Sequence, residues 1–284
     1  MPFAALGFLL FAGALHATLQ LVIKRSTSPL LVLWGSFVFV AVALAAPFAY
    51  VVAMEGGLPG RAVPWLLFSV AADTGYVLAL SRAYERGDLS VVYPTIRGTG
   101  LLLIPFVAFA LLDERVSARG GVGIALVALG VILAQMAGAE SSRPRLRGEV
   151  LTCAFAGVAM SAYSVADKAA LASAPLLLYL YLDFALLALT LSPFAVRRWG
   201  EFVDGWRSGV LRRNVLAAGV LTPVITTLVF LGLRRAEASY VAPVREVSIV
   251  FAAVLGRFVL GESGWARIGA AAVVVAGVVF IAGA

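Results

Sequence analysis

Runs of about twenty apolar residues, each followed by a short charged break, constrain this chain more than any other feature, because roughly 20 residues of helix cross a ~30 Å hydrocarbon core. Ten such runs lie at residues 3–23, 30–54, 63–85, 89–112, 117–138, 148–170, 174–196, 210–234, 237–260 and 264–283. They are rich in Leu, Ala, Val and Gly, without sustained alternation of polar and apolar positions. That pattern excludes a membrane β-barrel and leaves helices, whose backbone groups bond internally in lipid. The breaks carry turn chemistry: Lys24-Arg25-Ser26 before Pro29, Glu55-Gly56-Gly57 before Pro59, and Glu140-Ser141-Ser142-Arg143-Pro144 at the centre. With 62% hydrophobic residues, 13% charged residues and a mean hydropathy of +1.00, the chain has too little charge to cover a soluble domain of its length. The expectation is an all-α integral membrane protein of ten transmembrane helices.

A formal net charge of +7 would suggest a nucleic-acid partner in a soluble protein. Here most Lys and Arg sit in the breaks, as loops against an anionic leaflet require, and no nucleic acid is expected. Assigning every Lys and Arg except Arg97 and Arg245 to its nearest break puts fourteen after odd-numbered runs and six after even-numbered ones. The positive-inside rule then places the odd breaks in the cytoplasm and both termini outside, for a multi-pass protein of the cell (inner) membrane. Cys153 is the single cysteine, so no intramolecular disulfide and no cysteine-based metal site is expected. Nothing basic precedes the first apolar run, which is read as a permanent span rather than a leader.

The central break invites a search for a repeat. A shift of 148 residues sets Arg97 on Arg245, Glu114 on Glu262 and Gly121 on Gly269; a shift of 149 sets Asp73 on Thr222, Arg86 on Arg235, Ser90 on Ser239 and Pro94 on Pro243. The units are residues 1–139 and 148–284, joined by a linker at 140–147. Five spans per unit is an odd number, so homologous units enter the membrane in opposite directions. Such an inverted repeat lets one central site face each side in turn.

The paired segments Tyr93-Pro94…Arg97 through Leu112-Asp113-Glu114…Gly121…Gly130, and Ala242-Pro243…Arg245 through Leu260-Gly261-Glu262…Gly269…Gly277, resemble the drug/metabolite transporter superfamily with two EamA-type repeats. The run from Arg82 to Pro94 is also similar to members of that group. The resemblance spans essentially the whole chain. It implies a cavity lined by the first four spans of each repeat, with the fifth and tenth spans outside it. It also implies carriage of small metabolites such as amino acids or organic anions.

Ionisable groups inside spans cost about 2.5 to 3.5 kcal/mol each on insertion scales, so they face the bundle interior and mark a pathway. Asp73, Arg97, Asp183, Arg245 and Glu246 are such groups. Arg97 and Arg245 each lie eight residues into their spans, about 12 Å deep at 1.5 Å per residue. Descending from opposite faces, they meet near the midplane, where two guanidiniums could clamp a carboxylate, phosphate or phosphonate. The competing reading pairs Arg245 with Glu246 or Asp183, and Arg97 with Asp73. Asp73 and Asp183 are each either proton carriers or permanent counter-ions. His16, Gln20 and Lys24 form a polar stripe down the first span, with His16 as proton relay or interhelical bond partner. Tyr163 and Asp167 form another stripe, and Thr222, Thr226 and Thr227 a third.

Trp34, Tyr76, Tyr93, Tyr163, Tyr179 and Tyr181 are candidates to line the cavity, whereas Trp65, Trp199, Trp206 and Trp265 are expected at the interfaces. Glu114 and Glu262 are expected to complement the N-termini of the helices they precede. Gly13, Gly98, Gly100, Gly121, Gly130, Gly157, Gly269 and Gly277 are expected at close helix contacts, and Pro94, Pro105, Pro223 and Pro243 at kinks.

The lead reading is a secondary carrier of a small polar metabolite, an amino acid or an organic anion such as a phosphonate or carboxylate, with proton coupling or exchange left open. No cofactor is expected, and the chain is read as a monomer or weak homodimer. An intramembrane enzyme would need a His-Glu-x-x-His or Gly-x-Ser-x-Gly motif, and an ATP-driven pump a phosphate-binding loop; the sequence has none of these. A receptor or structural subunit would not need an inverted repeat with midplane charges.

Overall fold

Apolar runs become helices, but two of them break. The computed structural model describes residues 1–24, 26, 28–86, 89–137, 150–251 and 265–284. The first part comprises α1 (Phe3–Lys24), α2 (Pro29–Ala43), α3 (Ala45–Glu55), a 3-10 turn at Gly60–Ala62, α4 (Val63–Arg86), α5 (Leu89–Leu112) and α6 (Ala118–Met136). The second comprises α7 (Val150–Leu171), α8 (Leu176–Val196), α9 (Trp199–Arg207), α10 (Val210–Leu233), α11 (Ala238–Arg245) and α12 (Trp265–Ala282). Among the described residues there is no strand.

The ten-span expectation is met in part. Five helices, α4, α5, α7, α8 and α10, are long and apolar enough to cross a bilayer, and α2 with α3 makes a sixth if the bent pair is one span. Shorter apolar stretches lie in α1, α6 and α12. The run at 30–54 bends by 50° between α2 and α3. Pro47 has no N–H to give Ala43, and its ring crowds that carbonyl, so the ladder fails at Leu44. By contrast, α5 and α10 run unbroken through Pro105 and Pro223.

The run at 237–260 is interrupted three residues beyond Pro243. Glu246 N donates to Pro243 O at 3.0 Å and Val247 N to Val244 O at 3.2 Å, a tight turn in place of the α-helical ladder. Helix resumes at Ser248, and the remainder from 252 to 264 lies outside the described residues.

The halves interlock. α4 and α5 pack on α7, α1 and α2 pack on α10, α2 also packs on α8, and α6 packs on α12. In the last pair the backbones touch. A Cβ on Gly277 would meet Gly123 O at 2.7 Å, and one on Gly123 would meet Gly277 O at 2.8 Å. Gly13, Gly100, Gly130 and Gly157 sit at tight contacts as expected. Gly98, Gly121 and Gly269 do not, since a Cβ there meets nothing closer than 4.0 Å. The outer surface is apolar: Phe3, Leu151 and Phe106 are 90%, 82% and 72% exposed, as a lipid-facing surface requires.

Candidate functional site

A cavity of about 180 Å³ lies between the halves, with walls from α1, α2, α4, α5, α7, α8, α10 and α11. No residue of α6 or α12 lines it. The first half contributes His16, Asp73, Tyr76 and Arg97, and the second contributes Tyr163, Asp167, Asp183 and Arg245. Each group sits on a helix whose other faces are apolar, so the helical period that hides the apolar residues delivers the polar ones inward. Tyr76 and Tyr163 meet edge to face across the halves, with centroids 5.6 Å apart.

The arginines differ in their partners. Arg97 is 3% exposed and donates through Nη1 to Glu246 Oε1 at 3.1 Å. Its Nη1 also approaches Met160 Sδ at 3.7 Å, and its Nη2 lies 3.4 Å from His16 Nε2. The competing reading, which paired Arg97 with Asp73 and Arg245 with Glu246 or Asp183, is corrected for Glu246: the buried ion pair joins α5 to the turn after α11, across the two halves of the chain. Arg245 is in no ion pair among the described residues, and its buried Nε has no hydrogen-bond partner. Thr222 Oγ1, on the same cavity, is likewise buried and unbonded.

Asp167 receives two hydroxyls, from Ser69 at 2.5 Å and Tyr179 at 2.7 Å, which fixes it between α4 and α8. Asp73 and Asp183 have no such hydroxyl donors among the described residues. The cavity thus presents three carboxylates to one guanidinium not engaged in an ion pair. The sequence reading singled out Asp167 as part of a stripe but did not count it with the pathway charges. Its central place comes from Ser69 and Tyr179, residues with no ionisable signal of their own inside an apolar run.

Several expectations fall elsewhere. Trp34 is not at the cavity; its indole donates to Ser192 Oγ at 3.0 Å and its ring meets Phe202 edge-on at 5.3 Å. Tyr181 stacks on Phe48 at 3.9 Å, and Tyr179 is spent on Asp167. The side chains of Gln20, Tyr93 and Trp265 lie outside the described residues, as does Glu262. Glu114 does not cap the helix that follows it. Its carboxylate accepts from Ala238 N at 3.0 Å, Ser239 N at 3.3 Å and Ser239 Oγ at 3.0 Å, and so caps α11 of the other half.

On the same side Lys168 Nζ donates to Leu233 O at 2.5 Å and Ala236 O at 2.8 Å, satisfying the carbonyls at the end of α10. Glu114→Ala removes the cap of α11 at a cost of about 1–2 kcal/mol. A fall in unfolding midpoint of about 3–5 °C is the expected reading in a detergent melt.

Residues 147–283 match the model of the EamA-like transporter family. The second half of the chain is thus similar to EamA-like transporters. That half holds one wall of the cavity, with Tyr163, Asp167, Asp183, Thr222 and Arg245, while the residues before it supply the other. The family is described as one of transporters, and the chain's long apolar helices fit a multi-pass membrane protein. A solved crystal structure described only as "Crystal structure of protein" shares the fold at TM-score 0.78 and 19% identity, over 99% of this chain and 96% of that one. No curated protein matches the chain in sequence.

Proposed function

We propose that the protein is a secondary carrier in which two inverted five-helix repeats alternate access to the central cavity, and that its substrate is a small zwitterion of the amino-acid type. The observation that carries this reading is Arg245, a guanidinium with a buried unbonded Nε facing a cavity whose other free charges are carboxylates. A substrate carboxylate matches the planar fork of Arg245, and a substrate ammonium matches Asp73 or Asp183. A dianion such as a phosphonate would meet three carboxylates with one available arginine, because Glu246 already neutralises Arg97.

The volume supports a small cargo, being below the roughly 300–1,000 Å³ of pockets for drug-sized ligands. Tyr76 and Tyr163 offer an apolar edge for a side chain. Met1 N donates to Ala282 O at 3.3 Å, which supports an even number of crossings between them. The carboxylate that does not hold the ammonium, Asp73 or Asp183, is the proton carrier in a gradient-driven version of the cycle. The loop charge supports termini outside and a cell-membrane location.

A thermal-shift screen of the purified protein against neutral amino acids, dicarboxylates, phosphonates and amines tests the reading. Ligand bound to the folded state at a hundred times its Kd stabilises by about 2.7 kcal/mol. A shift with amino acids alone, absent when either the amine or the carboxylate is blocked, is expected. A shift confined to phosphonates or dicarboxylates would return the site to the two-arginine clamp.

A further inference from the structure

The break at 197–213 is not a plain loop, since it folds into α9, an extra helix at one end of the bundle. Its sequence places Trp199, Phe202 and Trp206 on one face at helical spacing, with Val203 beside them and Glu201 and Asp204 on the opposite face. Phe202 stacks between Trp199 (5.3 Å, 17°) and Trp206 (5.5 Å, 22°), forming a three-ring ladder. Trp34 meets the middle ring edge-on and seats the ladder against α2. The outer rings stay accessible, Trp199 being 51% and Trp206 37% exposed. A helix with an aromatic face and a charged back, at the end of a membrane bundle, lies in the interface plane.

The charge around this helix has one sign in excess. Residues 197–213 hold five arginines against Glu201 and Asp204. Arg198 is committed, to Glu201 at 2.7 Å and to Glu85 at the end of α4 at 2.5 Å. Arg197, Arg207, Arg212 and Arg213 are exposed and have no ion pair among the described residues. Gly209, at φ 81, turns the chain directly into α10, whose first turn carries Arg212 and Arg213.

We propose that this segment is a binding surface for anionic phospholipid headgroups. The aromatic ladder sits at the level of the headgroups and glycerol, and the four guanidiniums without an ion pair, of which Arg197 lies over the Phe194 ring at 5.9 Å, take the phosphates bidentately. Arg198 carries the occupancy to α4, the helix that bears Asp73 and Tyr76.

The test uses the full purified chain in detergent, titrated with phosphatidylglycerol or phosphatidylcholine and read by unfolding midpoint and by lipid retained in native mass spectra. Phosphatidylglycerol is expected to raise the midpoint and remain bound, and phosphatidylcholine to do neither. With each arginine at an anionic surface changing affinity by about fivefold, Arg207→Gln and Arg213→Gln each weaken phosphatidylglycerol by that factor. The variant with Arg197, Arg207, Arg212 and Arg213 all changed to Gln loses the shift while keeping its lipid-free midpoint.

Equal shifts from both lipids, or a phosphatidylglycerol shift that survives in the single and fourfold variants, would overturn the proposal. So would a lipid-independent dimer abolished by Trp199→Ala, which would assign the face to a second copy. None of these outcomes depends on the transported substrate.

Discussion

Glu246→Gln is expected to lower the unfolding midpoint by about 10 °C, the largest stability effect of any single change considered. Glu246 and Arg97 are 1% and 3% exposed, and their charged groups meet at 3.1 Å. Removing one member of a buried pair costs about 3–5 kcal/mol, because the partner remains charged and desolvated. The guanidinium cannot escape by losing its proton, and His16 at 3.4 Å offers a ring nitrogen rather than a negative charge. Arg97→Met with Glu246→Leu removes both charges and is expected to recover most of the loss. A melt in which Glu246→Gln moves the midpoint by less than about 2 °C would show that Arg97 is neutralised by another group.

Arg245→Ala is expected to abolish uptake in proteoliposomes while disturbing the fold less. Truncating one partner of a desolvated charge pair in a binding site costs about 2–5 kcal/mol, or roughly thirty- to several-thousand-fold in affinity. Arg245 has no ion pair to lose among the described residues, so its midpoint should fall by less than that of Glu246→Gln. Arg245→Lys keeps the charge without the planar fork, and an intermediate rate is expected. Uptake that survives Arg245→Ala at more than a tenth of the wild-type rate would remove Arg245 from the substrate path.

The sequence made the polar lining legible because burial inside lipid is periodic and local. His16, Asp73, Tyr76, Arg97, Tyr163, Asp183 and Arg245 interrupt apolar runs at helical spacing, and all of them reach the cavity. What it did not carry was the pairing between helices distant in the chain. Arg97 binds Glu246 rather than Asp73 because the turn after α11 presents Glu246 toward α5, and the depth of one span against another is not written in either. Trp34 reads like a lining residue until α9 folds beneath it, and a nine-residue helix rich in charge reads like a loop.

Glu114 shows the same limit from the other side. Its place just before the fifth span suggested a local role, whereas its bonds go to Ala238 and Ser239 in the other half of the chain. Gly123 escaped notice because nothing in the repeat alignment marks it, yet its carbonyl touches the position of a missing Cβ on Gly277.

The interlocking of the helices bears on what can move. α7 lies in the second half of the chain but packs on α4 and α5 of the first, and α10 packs on α1 and α2. Halves of the chain and packed units are therefore different partitions of the same molecule. A swing of one half as a block would shear the interfaces with α7 and α10, whereas two lobes, each assembled from both halves, could separate about the cavity with those interfaces intact. In the proposed carrier the ion pair between Arg97 and Glu246 would act as a rivet, and the stroke would pass through the open space around Arg245.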